Sequence, residues 1–178
     1  MSALHAAPRL ETERLILRAW RADDVEPFIA MMAEPEVAAF LTTTQQKLDR
    51  QAAWSALALI LGHWALRGHG LFAVEEKQTG GFIGRVGAWA PEGRAEPELG
   101  WGLVRAAWGR GYAFEAARAA GDWMFATLDP PRLSSLIHTA NTRSHKLAAR
   151  LGFRAEAETF HAGAPHQIWR VAKADWAR

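Results

Sequence analysis

The stretch that decides the fold begins Glu98-Leu99-Gly100-Trp101-Gly102-Leu103-Val104, passes through Trp108-Gly109-Arg110-Gly111-Tyr112-Ala113, and leaves as Phe114-Glu115-Ala116-Ala117 toward Leu128. It reads as a strand, a turn with two glycines and a helix over Ala113 to Leu128. Glycines at 109 and 111 let the backbone turn its amides inward and let a ligand come close, because neither carries a Cβ. The first amides of the new helix lack intrahelical acceptors and sit at the positive end of its dipole. Such a turn suits an anion, with pyrophosphate the natural guest, and the other reading of the same spacing is a glycine turn that merely joins strand to helix. Ala113, Ala116, Ala117, Ala119 and Ala120 let the helix lie close on a sheet and hold those amides in place.

Working outward, a strand is expected at Leu133 to Thr139, a helix at Asn141 to Leu151, and two last strands at Phe153 to Phe160 and Gln167 to Ala172. Gly163 and Pro165 fall in the loop between these two. Upstream, alternation predicts a first strand over Arg9 to Trp20. A helix capped by Asp23 or Asp24 follows and stops at Pro35, and a second helix runs from about Gln45 to Arg67, ended by Gly68 and Gly70. Leu71 to Glu76 and Phe82 to Trp89 read as a hairpin around Gln78-Thr79-Gly80-Gly81. Strand, two helices, three strands, helix, strand, helix and two strands make an α+β fold, a mixed sheet with helices on its faces, in one domain over residues 1–178.

Composition excludes several chemistries. The chain has 178 residues, is 49% hydrophobic and 22% charged, and has no cysteine, so disulfides, thiolate nucleophiles and Cys-containing zinc patterns are absent. Met1 to Pro8 lacks the apolar core of a signal peptide, and the most apolar later run is broken by Gly62, His63 and Arg67. The expectation is a cytoplasmic protein without a membrane span. The net charge of +2 comes from scattered Arg and Lys, which argues against nucleic acid, and the 9 Trp residues read as apolar filler of the core. Gly109-x-Gly111 lacks the third glycine of a dinucleotide fingerprint, where Phe114 stands, and no P-loop, nucleophile elbow or His-Glu-x-x-His helix occurs. His161 and His166 flank a loop and read as surface residues, so no metal site is expected.

The ordered set of motifs resembles the GCN5-related N-acetyltransferase superfamily, and within it the RimJ/RimL-like branch. It comprises Glu11-Thr12-Glu13-Arg14-Leu15-Ile16-Leu17-Arg18-Ala19-Trp20 with Asp23-Asp24, the Glu98 to Leu103 strand, Trp108 to Ala116, and Asn141-Thr142-Arg143-Ser144 ahead of Leu151-Gly152-Phe153. Trp108 stands where the superfamily prefers Arg or Gln, with Gly111 and Ala113 at the later motif positions. The resemblance implies a splayed mixed sheet with acetyl-CoA between the strand ending near Leu103-Val104 and the strand ending near Thr139. Main-chain groups of Leu103 and Val104 would hold the pantetheine arm, with Asn141 on its other side. Amides of Gly109, Arg110, Gly111, Tyr112, Ala113 and Phe114 would hold the pyrophosphate.

Direct transfer needs a neutral amine, and a free alkylamine has a pKa near ~10.4, so a base or water chain must help. Glu98, with Glu96 behind it, is the candidate base, although an ion-paired or solvated strand carboxylate is an equal reading of the same residues. A strand amide near Leu103 would stabilise the oxyanion. Many relatives protonate the thiolate with a tyrosine. The one tyrosine here, Tyr112, belongs to the pyrophosphate turn, and Ser144 is the candidate donor. The partners this implies are an amine acceptor and, as an option, a second copy of the chain. The other reading is a CoA-binding sensor or interaction module without catalysis.

Overall fold

In the computed structural model, which describes residues 7–93 and 96–176, the chain opens with two short strands, β1 (Leu10–Glu11) and β2 (Leu15–Arg18). The sequence reads as one strand here, but Thr12 breaks it. Its amide donates to the Leu15 carbonyl (3.0 Å), and its hydroxyl accepts from the Leu15 amide (2.9 Å), closing a tight turn. The reading of Met1 to Pro8 as leaderless, and that of one domain over the whole chain, reach outside the described residues.

Helix α1 (Val25–Ala33) ends before Pro35 as expected, but the same proline then starts α2 (Pro35–Leu41) at a position where its missing N–H costs nothing. Helix α3 (Arg50–Arg67) begins later than Gln45, because Asp49 is the cap: its side chain accepts from the Ala52 amide. Gly68, at φ 71°, ends it. Strands β3 (Leu71–Glu76), β4 (Phe82–Trp89) and β5 (Glu98–Leu103) follow, then α4 (Tyr112–Thr127), β6 (Arg132–His138) and α5 (Thr142–Arg150). The last hairpin, β7 (Arg154–His161) with β8 (Ala164–Ala172), turns on Ala162 and Gly163 at φ 50° and 77°. That two-residue turn draws Pro165 out of the expected loop and into the strand. A short α6 (Lys173–Trp176), unread in the sequence, closes the described chain.

The eight strands form one sheet in the order β1-β2-β3-β4-β5-β6-β8-β7. All neighbours are antiparallel except β5 and β6. One face carries α4, whose Ala116, Ala117 and Ala120 are fully buried against a core that includes Leu17, Phe72, Val86 and Leu99. The small side chains bring the helix axis close to the sheet, which fixes where its first turn emerges. The other face carries α1 and α3 through Phe28, Met31, Met32, Leu57 and Ile60. Complete burial of such side chains stabilises by about 1.5–3 kcal/mol each. Among the described residues no helix is long and apolar enough to cross a membrane.

Candidate active site

The site begins where the sheet comes apart. Strands β5 and β6 share one register pair, Glu98 opposite Ser134, supported by the Ser134 amide on the Pro97 carbonyl (3.2 Å). Beyond that pair β6 follows β8 along its whole length, while β5 follows β4, so the two parallel strands diverge toward Leu103 and His138. The Val104 amide donates to the Ile83 carbonyl (3.0 Å), which makes that pair hydrogen-bonded and the adjacent Leu103–Gly84 pair non-hydrogen-bonded. Leu103, and Trp101 two residues earlier, therefore turn their main-chain groups away from β4 into the gap, where no strand meets them.

The Leu103 amide faces the gap, and its carbonyl accepts from Trp108 Nε1 (2.9 Å). Val104 departs from the expected hold on pantetheine. Its amide is taken by Ile83 and its carbonyl accepts from Ala107 (3.0 Å), so the main-chain groups free to act come from Leu103 and Trp101.

At the open end of the wedge, Gly109 and Gly111 adopt φ 77° and 81°. A Cβ at Gly109 would meet nothing within 4 Å, and at Gly111 only Arg14 Nη2 at 3.4 Å, so the turn leaves open space beside its amides. Gly111 caps α4 with no side-chain hydrogen bond, and among the described residues the first-turn amides of Tyr112, Ala113 and Phe114 have no side-chain acceptor. The turn is braced from behind. Arg14 donates to the Arg110 carbonyl (2.9 Å) and pairs with Glu115 (2.6 Å), and Arg14 and Arg110 both lie over the Tyr112 ring, at 4.6 and 4.7 Å. The Tyr112 hydroxyl donates to Glu76; this bond raises the phenol's pKa and holds that of Glu76 below the carboxylate range. Tyr112 is buried and Arg110, half exposed, pairs with Glu76 (3.2 Å), so the main chain of the turn lines the open space. Arg143 and Arg150 of α5, stacked on Trp108 (4.7 Å) and Phe114 (4.5 Å), add positive charge at the rim. This arrangement fits a diphosphate: open space, free amides and cations together.

Across the wedge, Asn141 caps α5, its Oδ1 accepting from the Ser144 amide (3.1 Å). Its side-chain NH2 remains for a ligand. Ser144 Oγ accepts from Trp101 Nε1 (3.1 Å), a bond between residues 43 apart in sequence that joins α5 to β5 across the gap. With its oxygen so held, the Ser144 proton is free to donate.

A cavity of about 830 Å³ runs along the wedge and under α1 and α2, lined by Glu98, Trp101, Leu103, Trp108, Ser144 and Arg85 among others. The structure brings Glu98 onto it but not Glu96. Glu96 precedes β5 and is bound by Arg170 (2.8 Å) and Arg132. Burial opposes its charge, but those two hydrogen bonds outweigh it and hold its pKa below the usual carboxylate range. Glu96 is therefore a structural ion pair joining β5 to β6 and β8, not a reserve base. His138, His161 and His166 line the cavity, with His138 within ring contact of His166 (5.2 Å). Burial, then His166 and His145, lower the pKa of His138, and its Nδ1 accepts from the Ala140 amide. Among the described residues no group of three or more His, Asp or Glu could hold a metal. Trp101, Trp108 and Arg85 are the site residues that sequence reasoning missed. In the sequence a tryptophan at 101 or 108 is indistinguishable from core filler or an ordinary motif position, and a lone Arg in a strand carries no signal.

The Acetyltransferase (GNAT) domain family matches residues 14–154. An uncharacterized N-acetyltransferase, p20, of Bacillus licheniformis is 30% identical over 149 residues, covering 83% of each chain. An acetyltransferase from Agrobacterium tumefaciens, known from its crystal structure, is similar with a TM-score of 0.83 and 31% identity, over 97% of this chain and 99% of that one. The spermidine N-acetyltransferase from Vibrio cholerae, solved in complex with CoA and spermine, shares the fold with a TM-score of 0.76 and 17% identity, over 94% of this chain and 100% of that one. The splayed sheet, the open turn at Gly109 to Phe114 and these likenesses agree: the chain is an enzyme of the GNAT acetyltransferase family, whose members take the acyl group from acetyl-CoA.

Proposed function

We propose that the chain is a cytoplasmic N-acetyltransferase of the RimJ/RimL-like branch, one domain over residues 1–178, that acetylates a primary amine by direct attack within a ternary complex. The observation that carries this reading is the wedge between β5 and β6 with the uncapped start of α4 at its mouth. Acetyl-CoA supplies an activated thioester. The amides from Gly109 to Phe114 hold its pyrophosphate. The Leu103 amide and the Asn141 side chain hold the pantetheine from its two sides, and strand amides facing the gap donate to the carbonyl oxygen as charge develops there.

Glu98, at the closed end of the wedge, accepts the proton of the incoming ammonium directly or through water. Ser144 passes a proton to the departing sulfur and regains one, through water, from the nitrogen, which sheds its second proton as the amide forms. The Trp101 indole, by donating to Ser144 Oγ, strengthens the serine as a donor and fixes its direction. CoA release, measured across a panel of amines with mass spectrometry of the product, tests the reaction. Transfer to no amine by a protein that binds CoA would leave a cofactor-binding module instead. Glu98→Gln should slow turnover most at neutral pH and recover as pH rises, because high pH deprotonates the amine unaided. A pH–rate profile matching wild type would remove Glu98 from the mechanism.

A further inference from the structure

The floor of the cavity under α1 and α2 carries a cation that the transfer chemistry does not use. Arg85 of β4 lies opposite Gly102 of β5, and Trp89 lies opposite Glu98, so Arg85, Glu98, Gly100 and Gly102 share one face of the sheet. Neither glycine carries a side chain: Leu41 packs directly on Gly102, where a Cβ would meet it at 2.5 Å, and Gly100 has Leu71 at 3.6 Å, so no polar side chain comes from β5 between Arg85 and Glu98. Above it stand Phe28, Met32, Val37 and Leu41, an apolar roof. Among the described residues the Arg85 side chain makes no hydrogen bond and no ion pair within 4 Å, and its Nε is a buried donor without a partner. Burial pushes the Arg85 pKa down to about 10, with the Glu98 charge acting against that shift, so the guanidinium still carries its charge at neutral pH.

A guanidinium that feels the Glu98 charge only at a distance and makes no hydrogen bond among the described residues is costly under an apolar roof unless an anion meets it. Arg is also the side chain whose planar fork matches a carboxylate. We infer that Arg85 binds the carboxylate of the acceptor, and that the acceptor is a small amino carboxylate whose amine lies toward Glu98 and the thioester. The same cation repels a second ammonium, so diamines and polyamines are poor acceptors. This inference rests on the proposed acetyl transfer for the role of Glu98, but the binding preference can be measured without turnover.

The experiment titrates the CoA complex of the full chain calorimetrically with the standard amino acids, each as free acid and as carboxamide, and with 1,4-diaminobutane. CoA release from acetyl-CoA is followed with the same panel. The free acid that binds best should do so at least about 10-fold more tightly than its carboxamide, because a site built for a charged hydrogen-bonding group rejects the analogue that lacks it. Arg85→Gln should bring that ratio near one, with acetyl-CoA affinity as the check that the variant is folded. Equal binding of acid and carboxamide by the wild type overturns the inference even if the variant cannot be purified. So does a preference for the diamine, or no binding by any free acid. Loss of turnover with the binding preference intact would count against the transfer mechanism and not against Arg85.

Discussion

Two helices begin at the open end of the same wedge, and they begin in opposite ways. Helix α5 starts on Asn141, whose Oδ1 takes the Ser144 amide at 3.1 Å. Helix α4 starts on Gly111 at φ 81°, with no side chain over its first-turn amides. Both carry the same partial positive charge, and a side-chain cap stabilises a helix by about 0.5–2 kcal/mol. In α4 that internal stabilisation is absent, and the turn is held instead from behind, by Arg14, Glu115 and the Tyr112–Glu76 bond. A helix start satisfied from within positions side chains, here Asn141 and Ser144. One left open and braced from outside is built to be satisfied by a ligand.

The largest expected effect falls on the open start. Gly111→Val places a β-branched residue at a φ only glycine adopts readily and fills the space beside the amides. Calorimetry should show acetyl-CoA affinity lower by about two orders of magnitude, the scale of losing one or two charge-assisted hydrogen bonds. Unchanged affinity in a folded variant would place the phosphate site elsewhere. On the capped side, Ser144→Ala should lower kcat by roughly one to two orders of magnitude, with melting temperature and acetyl-CoA affinity nearly unchanged. A wild-type kcat, where the chemical step limits the rate, would mean the serine is not the acid. The smallest effect is that of Asn141→Ala, which should destabilise by about 0.5–2 kcal/mol in denaturant titration and weaken acetyl-CoA modestly. A stability loss with affinity intact would make Asn141 a cap alone.

What could be read in the sequence follows from how local each signal is. Gly109 and Gly111 were legible because a positive φ beside a helix start is a requirement on two residues. Strands β3 and β4 were legible from the turn residues Gln78-Thr79-Gly80-Gly81 between them, even though β3 is buried at every position and does not alternate. Pro35 was read as a stop but not as the start of α2, since the same ring geometry serves both and only packing of Val37 and Ala38 decides. Helix α6 escaped because what holds it lies far back in the chain: Trp176 packs on Gly121, Phe125 and Phe153 and donates to Asp122, and Lys173 pairs with Asp129. Glu96 was grouped with Glu98 by spacing, whereas its partners Arg132 and Arg170 lie on other strands. Arg85 was invisible because an Arg in an alternating strand reads as solvent-facing, and only the glycines across the ladder leave it facing a cavity. The Trp101–Ser144 bond spans two elements that sequence reading treats separately.

The central claim is that acetyl-CoA satisfies the open helix start, and a titration of the backbone amide NMR spectrum with acetyl-CoA tests it most directly. The account predicts that amides from Gly109 to Phe114 move most and downfield as they take the diphosphate. The Ser144 amide, already held by Asn141, should move little. Largest shifts at the start of α5, with the Gly109 to Phe114 amides unmoved, would contradict it.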